Sequence, residues 1–395
     1  MGEPIKPPDS RNVCGKCFGD LGLKAFIDRF AEERSCHFCG RRSRKSIAAP
    51  LEKVLSYIRR CISHEYDLAV NILPYESAEG GWQYGTVWDT QDLMAYELGL
   101  DLPNDGGHDL FDTICEFLGE DQWCESDAFG LTQSQELLFG WREFCRYVTQ
   151  QRRFFFREAW TPSTSAASQE EEMSPTQVLE AVMRHCGEGR AKEFKAGARF
   201  YRARFQLPGE HFEDAKTLGP PSAALAVKFN RMNPPGIPMM YLSEDAETAL
   251  LETQREPGIY AIGEFELIQD TLLLDLAALP KIPSIFEDSP DKRHAAIFLH
   301  GFVHSITQPS AHDSLIHLDY IPTQVVTEYF RTVFNFDGHR IHGLFYPSVV
   351  NHGKTNLVLF ATQADLEDGA EEDKLPSSDH PPWIRLVSHC VRTAR

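Results

Sequence analysis

Two sets of residues in this sequence have types and spacings that could do chemistry. The first is four cysteines, Cys14-x-x-Cys17 and Cys36-x-x-Cys39, with eighteen residues between the pairs. Thiolates are soft ligands, and cysteines three apart form short knuckles that bind without strain. Two pairs at this spacing are expected to converge tetrahedrally on one zinc ion. Gly15 and Gly40 sit where the knuckles turn tightly, and a residue without Cβ makes such turns feasible. Four thiolates would leave no open position for water, so the metal is expected to be structural. The competing reading, free or redox-active cysteines, does not explain a doubled pair at matched spacing.

The second set lies in the carboxyl-terminal half. Tyr201-Arg202-Ala203-Arg204 is followed by Asn230-Arg231-Met232-Asn233, by Pro235-Gly236-Ile237-Pro238-Met239-Met240-Tyr241-Leu242 and by Glu247-Thr248-Ala249-Leu250-Leu251-Glu252. Asp319-Tyr320-Ile321-Pro322-Thr323-Gln324 and Gly343-Leu344-Phe345-Tyr346-Pro347-Ser348 come later. Attack on the glycosidic bond of NAD⁺ needs few groups. They are cations for the pyrophosphate, an aromatic face for nicotinamide, and a carboxylate beside the cation that develops as the bond breaks. These blocks supply all three. Singly, a strand arginine or a helix-borne glutamate is a solvated surface group, and a lone tyrosine belongs to a core.

In that order, the blocks resemble the RES domain family, of the ADP-ribosyltransferase-like group, across Tyr201 to Phe360. The resemblance implies a toxin or effector that consumes NAD⁺ or transfers its ADP-ribose. It also implies roles by position: Arg202 and Arg231 at the phosphates, with Asn233 beside them in cofactor binding, and Tyr241 stacked on nicotinamide. Glu252 would hold the ribose hydroxyls and stabilise an oxocarbenium-like centre, and Ser348 would add a hydrogen bond to ribose or carboxamide. Arg202, Tyr241 and Glu252 are thus the expected catalytic residues. Tyr320, Gln324 and Glu328 are read as packing and hydrogen-bonding residues. Met232 stands where the family often has Trp, and Asn230 where it has Gly. The acceptor is therefore left open among water, phosphate and a macromolecule, the last making the protein an ADP-ribosyltransferase. An antitoxin or inhibitor protein is the implied partner.

Elements must position these groups. Leu51, Val54, Leu55, Ile58 and Ile62 fall on one helix face, as do Leu137, Leu138, Trp141, Phe144, Cys145 and Val148. Asp101 to Gly107 reads as a loop. Ser174-Pro175-Thr176-Gln177 offers an N-cap, a proline at the first helical position and a Gln three residues on. Strand-like runs follow at Arg199–Phe205, Met239–Leu242, Tyr260–Leu267, Thr271–Leu274 and Asn356–Phe360, with helices at Thr248–Gln254 and Lys292–Ser305. Thr161 to Met173 is expected to be a linker, and Asp365 to Pro382 a mobile loop. The expected plan is α+β: a zinc ribbon over 1–48, an all-α HEPN-like domain over 49–160, a linker over 161–176, and an ADP-ribosyltransferase-like mixed α/β RES domain over 177–395. HEPN-like domains are found fused to RES domains, so the resemblance extends to this region.

Composition narrows the alternatives. The formal net charge of −19 opposes wholesale nucleic-acid binding. Residues 1–50 are the exception, with ten Lys/Arg against six Asp/Glu and with Arg41, Arg42, Arg44 and Lys45 just after the second cysteine pair. Any nucleic-acid contact is expected there, through the zinc ribbon. Arg59 and His64 stand in an R-x₄-H spacing found in HEPN ribonucleases, but here in the first helix of the region, so a regulatory domain is preferred over a nuclease. With no long apolar run and a polar amino terminus, the chain reads as a cytoplasmic protein without membrane contact, expected to form an oligomer whose size the sequence leaves open.

Overall fold

The computed structural model describes residues 10–103, 109–155, 173–309, 313–368 and 381–394. The chain divides into two compact units, Met1–Glu136 with Pro280–Ile297, and Leu137–Leu279 with Phe298–Arg395. The fold is α+β, with a nine-stranded mixed sheet in the second unit. Among the described residues no helix is long and apolar enough to cross a membrane.

In the first unit the strands Asn12–Cys14 and Ala48–Pro50 pair antiparallel and bracket the cysteine region. Helix Leu21–Arg29 starts where the Asp20 side chain accepts from the Leu23 N–H, which satisfies one of the open donors of a helix start. Helix Leu51–Ile62 buries the expected face, with Leu51, Val54, Leu55, Ile58 and Ile62 all in the core. One cluster holds Val13, Phe18, Leu23, Ile27, Ile58 and Ile114, so the cysteine region and the helices behind it share a core. The segment from 49 on is not all helix. Tyr66–Leu68, Gln122–Glu125 and Trp88–Asp89 form a three-stranded antiparallel sheet. These strands are only two to four residues long, too short for alternation to show against the helical background.

A segment from far downstream completes this unit. The turn Ile285–Glu287 buries Ile285 and Phe286 in the same core, and the Tyr57 hydroxyl donates to the Phe286 carbonyl at 2.7 Å. Helix Leu21–Arg29 passes so close that a Cβ on Gly22 would lie 2.3 Å from that carbonyl oxygen. Only glycine fits there.

The large sheet of the second unit has the spatial order Leu366–Asp368, Ile384–Ala394, Gly258–Leu267, Arg199–Gln206, Met240–Ser243, Thr355–Leu359, Gly343–Pro347, Thr271–Asp275, Ala191–Phe194. Two of its pairings are parallel and the rest antiparallel. The expected strands occur with ends moved by up to two residues. Ala191–Phe194, Gly343–Pro347, Leu366–Asp368 and Ile384–Ala394 were not expected as strands. Leu366–Asp368 thus takes up the start of the stretch read as a mobile loop, and 369–380 lies outside the described residues, as do 161–172 of the linker and 104–107 of the first loop.

Helices cover one side of this sheet. Trp141 and Phe144, Val178 and Val182, Phe298 and Phe302, and Val326 and Phe330 come from four helices and share a cluster with Leu344 and Val358 of the sheet. Helix Pro175–Gly187 opens with the expected capping box: Ser174 Oγ accepts from the Gln177 N–H, and Gln177 Oε1 accepts from the Ser174 N–H. Central to the sheet is a junction. Arg199–Gln206 runs alongside Gly258–Leu267 for its whole length but touches Met240–Ser243 at a single pair, Tyr201 with Ser243.

Candidate functional site

The residues around that junction include Arg202 and Tyr241, two of those singled out from sequence. Arg202 is adjacent to Tyr201, and Tyr241 is two residues before Ser243. The Arg202 guanidinium donates from Nη1 to the Tyr241 carbonyl at 3.2 Å, while its Nε is buried with no partner. Among the described residues no carboxylate pairs with it. Burial, and next the nearby Arg204, push its pKa down to about 10. A half-buried guanidinium near another cation, with a buried Nε left unpartnered and no counter-charge among the described residues, is a costly arrangement for a protein without ligand.

The Tyr241 hydroxyl is tied down. It donates to Asn233 Oδ1 at 2.6 Å and accepts from the Met232 N–H at 3.2 Å. Asn233 is buried, and its Nδ2 donates to the Ile237 carbonyl at 2.6 Å. Gln324 donates from Nε2 to the carbonyls of Asn230, at 2.7 Å, and Asn233, at 3.3 Å. The loop carrying the second arginine is therefore fastened to helix Ile321–Thr332 and to the tyrosine it must serve. Burial, then the neighbouring Tyr346, raises the Tyr241 phenol, which stays a neutral donor across the physiological range.

Arg231 differs from Arg202. Its Nη1 donates to the carbonyls of Gln308, at 2.7 Å, and Ile306, at 3.4 Å, at the end of helix Pro290–Thr307, and its guanidinium lies 5.5 Å from the Tyr320 ring centre. It is a helix C-cap. Glu328 is exposed and shares none of these contacts.

Glu252 lies near the end of helix Ala246–Thr253, which Asp245 caps by accepting from the Thr248 N–H. The glutamate is exposed to solvent, yet its Oε1 accepts two hydrogen bonds, from Ser348 Oγ at 2.7 Å and Asn356 Nδ2 at 2.5 Å. Asn356 is buried and its Oδ1 accepts from Ser243 Oγ at 2.8 Å. Ser348 Oγ in turn accepts from the Asn351 N–H at 3.0 Å. Tyr346 lies between the clusters: burial first and then the Glu252 charge raise its phenol, and it also perturbs Tyr241. Structure thus joins Arg202 to Tyr241, Tyr241 to Asn233, and Glu252 to Ser348. Asn356, Ser243 and Tyr346 were not expected. A polar side chain inside the apolar run Asn356-Leu-Val-Leu-Phe360 was the one signal in sequence for Asn356.

A separate cavity of about 360 Å³ lies among Phe194, Phe200, Phe345, Glu244 and Asp275. Both carboxylates there are paired, Glu244 with Lys354 and Asp275 with Lys192. None of the expected site residues lines it.

In the first unit the four cysteine sulfurs lie within 4.8 Å of one another. Sγ separations of 3.5 Å for Cys17 and Cys36, 3.6 Å for Cys14 and Cys39, and 3.9 Å for Cys14 and Cys17 exclude disulfides. They match the roughly 3.8 Å edge of a tetrahedron with metal–sulfur bonds of about 2.3 Å. Cys14 N–H points at Cys36 Sγ, 3.4 Å away, and Gly40 has φ +67° after the second knuckle, whereas Gly15 has no such angle. Hydrogen bonding to Cys14 and Cys36, with burial, raises the Cys17 thiol; thiolates this close repel one another, and a cation among them removes that cost. The set fits a metal ion. Arg41, Arg42, Arg44 and Lys45 are exposed beside it.

His64 and Arg60 converge on Asp288, with His64 Nε2 2.9 Å from Oδ1 and Arg60 Nη2 2.7 Å from Oδ2. His64 is thereby held by a carboxylate from the downstream segment, while Arg59 stays exposed.

No curated protein matches this chain. Two family models do. HEPN/RES N-terminal domain 1 matches residues 30–161, and the RES domain matches residues 199–381, the stretch that carries Arg202, Tyr241, Glu252 and Ser348. The chain is a RES-domain protein with a HEPN/RES N-terminal domain.

Proposed function

We propose that the RES domain cleaves the bond between nicotinamide and ribose in NAD⁺, as a toxin or effector regulated by the amino-terminal unit. RES domains are in general NAD⁺-processing enzymes. The observation that carries the reading is Arg202, a half-buried guanidinium whose Nε is buried without a partner and which has no acid paired with it among the described residues. An anion such as the pyrophosphate satisfies it. Arg231 then adds charge from the far side of the loop, with Asn233 shaping that loop.

Tyr241, its hydroxyl fixed by Asn233, offers its ring to nicotinamide. The bond from C1′ to the pyridinium nitrogen breaks with its electron pair passing to nitrogen, so nicotinamide leaves neutral and C1′ becomes an oxocarbenium. Glu252 stabilises that cation through the ribose hydroxyls and the local field. A water or phosphate oxygen then bonds to C1′, and with water a proton is released to solvent. The metal of the first unit takes no part in these steps. We assign it as zinc holding the knuckles, with the domain around it in a controlling role.

Nicotinamide release by the purified full chain, followed by chromatography, tests the reading. Release that Glu252→Ala abolishes supports it, and no release from wild type, or equal release from the variant, rejects it. With labelled NAD⁺, free ADP-ribose or its phosphate marks hydrolysis or phosphorolysis, and label on a macromolecule marks transfer.

A further inference from the structure

We propose that Asn356, oriented by Ser243, is a positioning residue that sets which oxygen of Glu252 faces the substrate. The inference rests on the NAD⁺ reading above and deepens it. A glutamate on the last turn of a short helix has free χ angles, and an exposed carboxylate samples several of them. Here Oε1 is held by two donors on different elements, Asn356 Nδ2 on strand Thr355–Leu359 and Ser348 Oγ just after strand Gly343–Pro347. With Oε1 committed, Oε2 is the oxygen left for the ribose.

The donors are themselves fixed. Asn356 could present either end of its amide, but the Glu252 carboxylate only accepts and so takes the NH₂, while Ser243 Oγ donates to Oδ1 and anchors the other end. Ser243 and Asn356 are register partners on adjacent strands, and both are buried. The bond between them is buried, and leaving it unmade would strand a buried amide oxygen without a partner. Ser348 Oγ accepts from the Asn351 N–H, so its proton points to Glu252, and Asn351 Nδ2 donates to Thr248 Oγ1 on the glutamate's own helix. Ser348 is then a second positioning donor, with its hydroxyl proton committed to Glu252 and not to ribose. Tyr201, the partner of Ser243 across the sheet junction, ties this relay to the strand that carries Arg202.

Asn356→Asp tests this with little change of shape. Two carboxylates at hydrogen-bond distance cannot both stay ionised without repulsion. Nicotinamide release by the full chain should lose about 100-fold in kcat, with KM for NAD⁺ within a few-fold, and the acid limb of the pH profile should move up by about one unit. Ser243→Ala should give a smaller kcat loss in the same direction, again with KM little changed. Independently of turnover, the Tm deficit of Asn356→Asp should grow from pH 5 to pH 8 and be largely removed by adding Glu252→Gln. Absence of that rescue, or a wild-type pH profile in Asn356→Asp, overturns the inference. Wild-type protein that releases no nicotinamide overturns the NAD⁺ reading instead, and the two failures are distinguishable because the thermal cycle needs no activity.

Discussion

Arg202 Nη1 donates to the main-chain carbonyl of Tyr241 at 3.2 Å, across strands that pair only once, at Tyr201 and Ser243. One hydrogen bond to a neutral carbonyl does not offset burial of a full charge. Arg202→Met should therefore leave the ligand-free protein as stable as wild type, or more stable by about 1 kcal/mol or more. Its affinity for ADP-ribose should fall by about 1.5–3 kcal/mol, roughly 10- to 150-fold. Calorimetric titration and thermal unfolding with and without ADP-ribose check both. A strongly destabilised ligand-free variant would show the arginine to be structural.

Glu252→Gln keeps the shape of the side chain and removes its charge. Nicotinamide release should fall by about 10²–10³-fold, with KM nearly unchanged. A rise in KM alone would make Glu252 a ribose-binding group without a part in the transition state.

Cys17 is buried between Cys14 and Cys36. Metal analysis should find one zinc per chain. Cys17→Ser or strong chelation should remove it and unfold the first unit, since structural zinc contributes apparent binding free energies of about 10–16 kcal/mol at neutral pH. Protein purified without metal and showing the same unfolding curve would refute the assignment.

Asp288 provides a pH test within the first unit. Hydrogen bonding to His64 and the charge of Arg60 hold its carboxyl below the usual carboxylate range. The folded value is depressed, so the contribution is fully present above the unfolded value of about 3.9 and lost as pH falls through the folded one. Between pH 5 and pH 2, Asp288→Asn should lose less stability than wild type. Superimposable acid unfolding curves would mean the ion pairs contribute nothing measurable, as exposed pairs often do.

Phe286 fills the core of the first unit from a position more than 200 residues downstream of helix Leu51–Ile62. Phe286→Ala should destabilise that unit by about 3–5 kcal/mol. Denaturant unfolding followed through the Tyr57 and Phe26 environment, whose rings stack at 3.8 Å, reads this directly. No change in its midpoint would show that the turn packs without supporting the core.

Local patterns were legible in the residues alone. The knuckle spacing, the capping box at Ser174 to Gln177, the helix stripe from Leu51 to Ile62 and the strand-like runs of the central sheet each depend on neighbours in sequence. So does the order of the blocks from Arg202 to Ser348, because chemistry of one kind requires those side chains whatever encloses them. What the sequence left undecided depends on residues far apart in the chain. Edge strands such as Ala191–Phe194 show little burial and so no clear alternation. The turn at Phe286 takes its meaning from helices at the other end of the chain, and Asn356 acquires a role only when register places it beside Ser243 and within reach of Glu252. The family resemblance implied Arg231 at the phosphates, and the structure adds a helix end that it caps. The sequence by itself determined which groups are present and which domain family their order resembles. Tertiary structure decided which of them carry an uncompensated charge and which are held by a partner, because burial and hydrogen-bond geometry are set by packing and not by order along the chain.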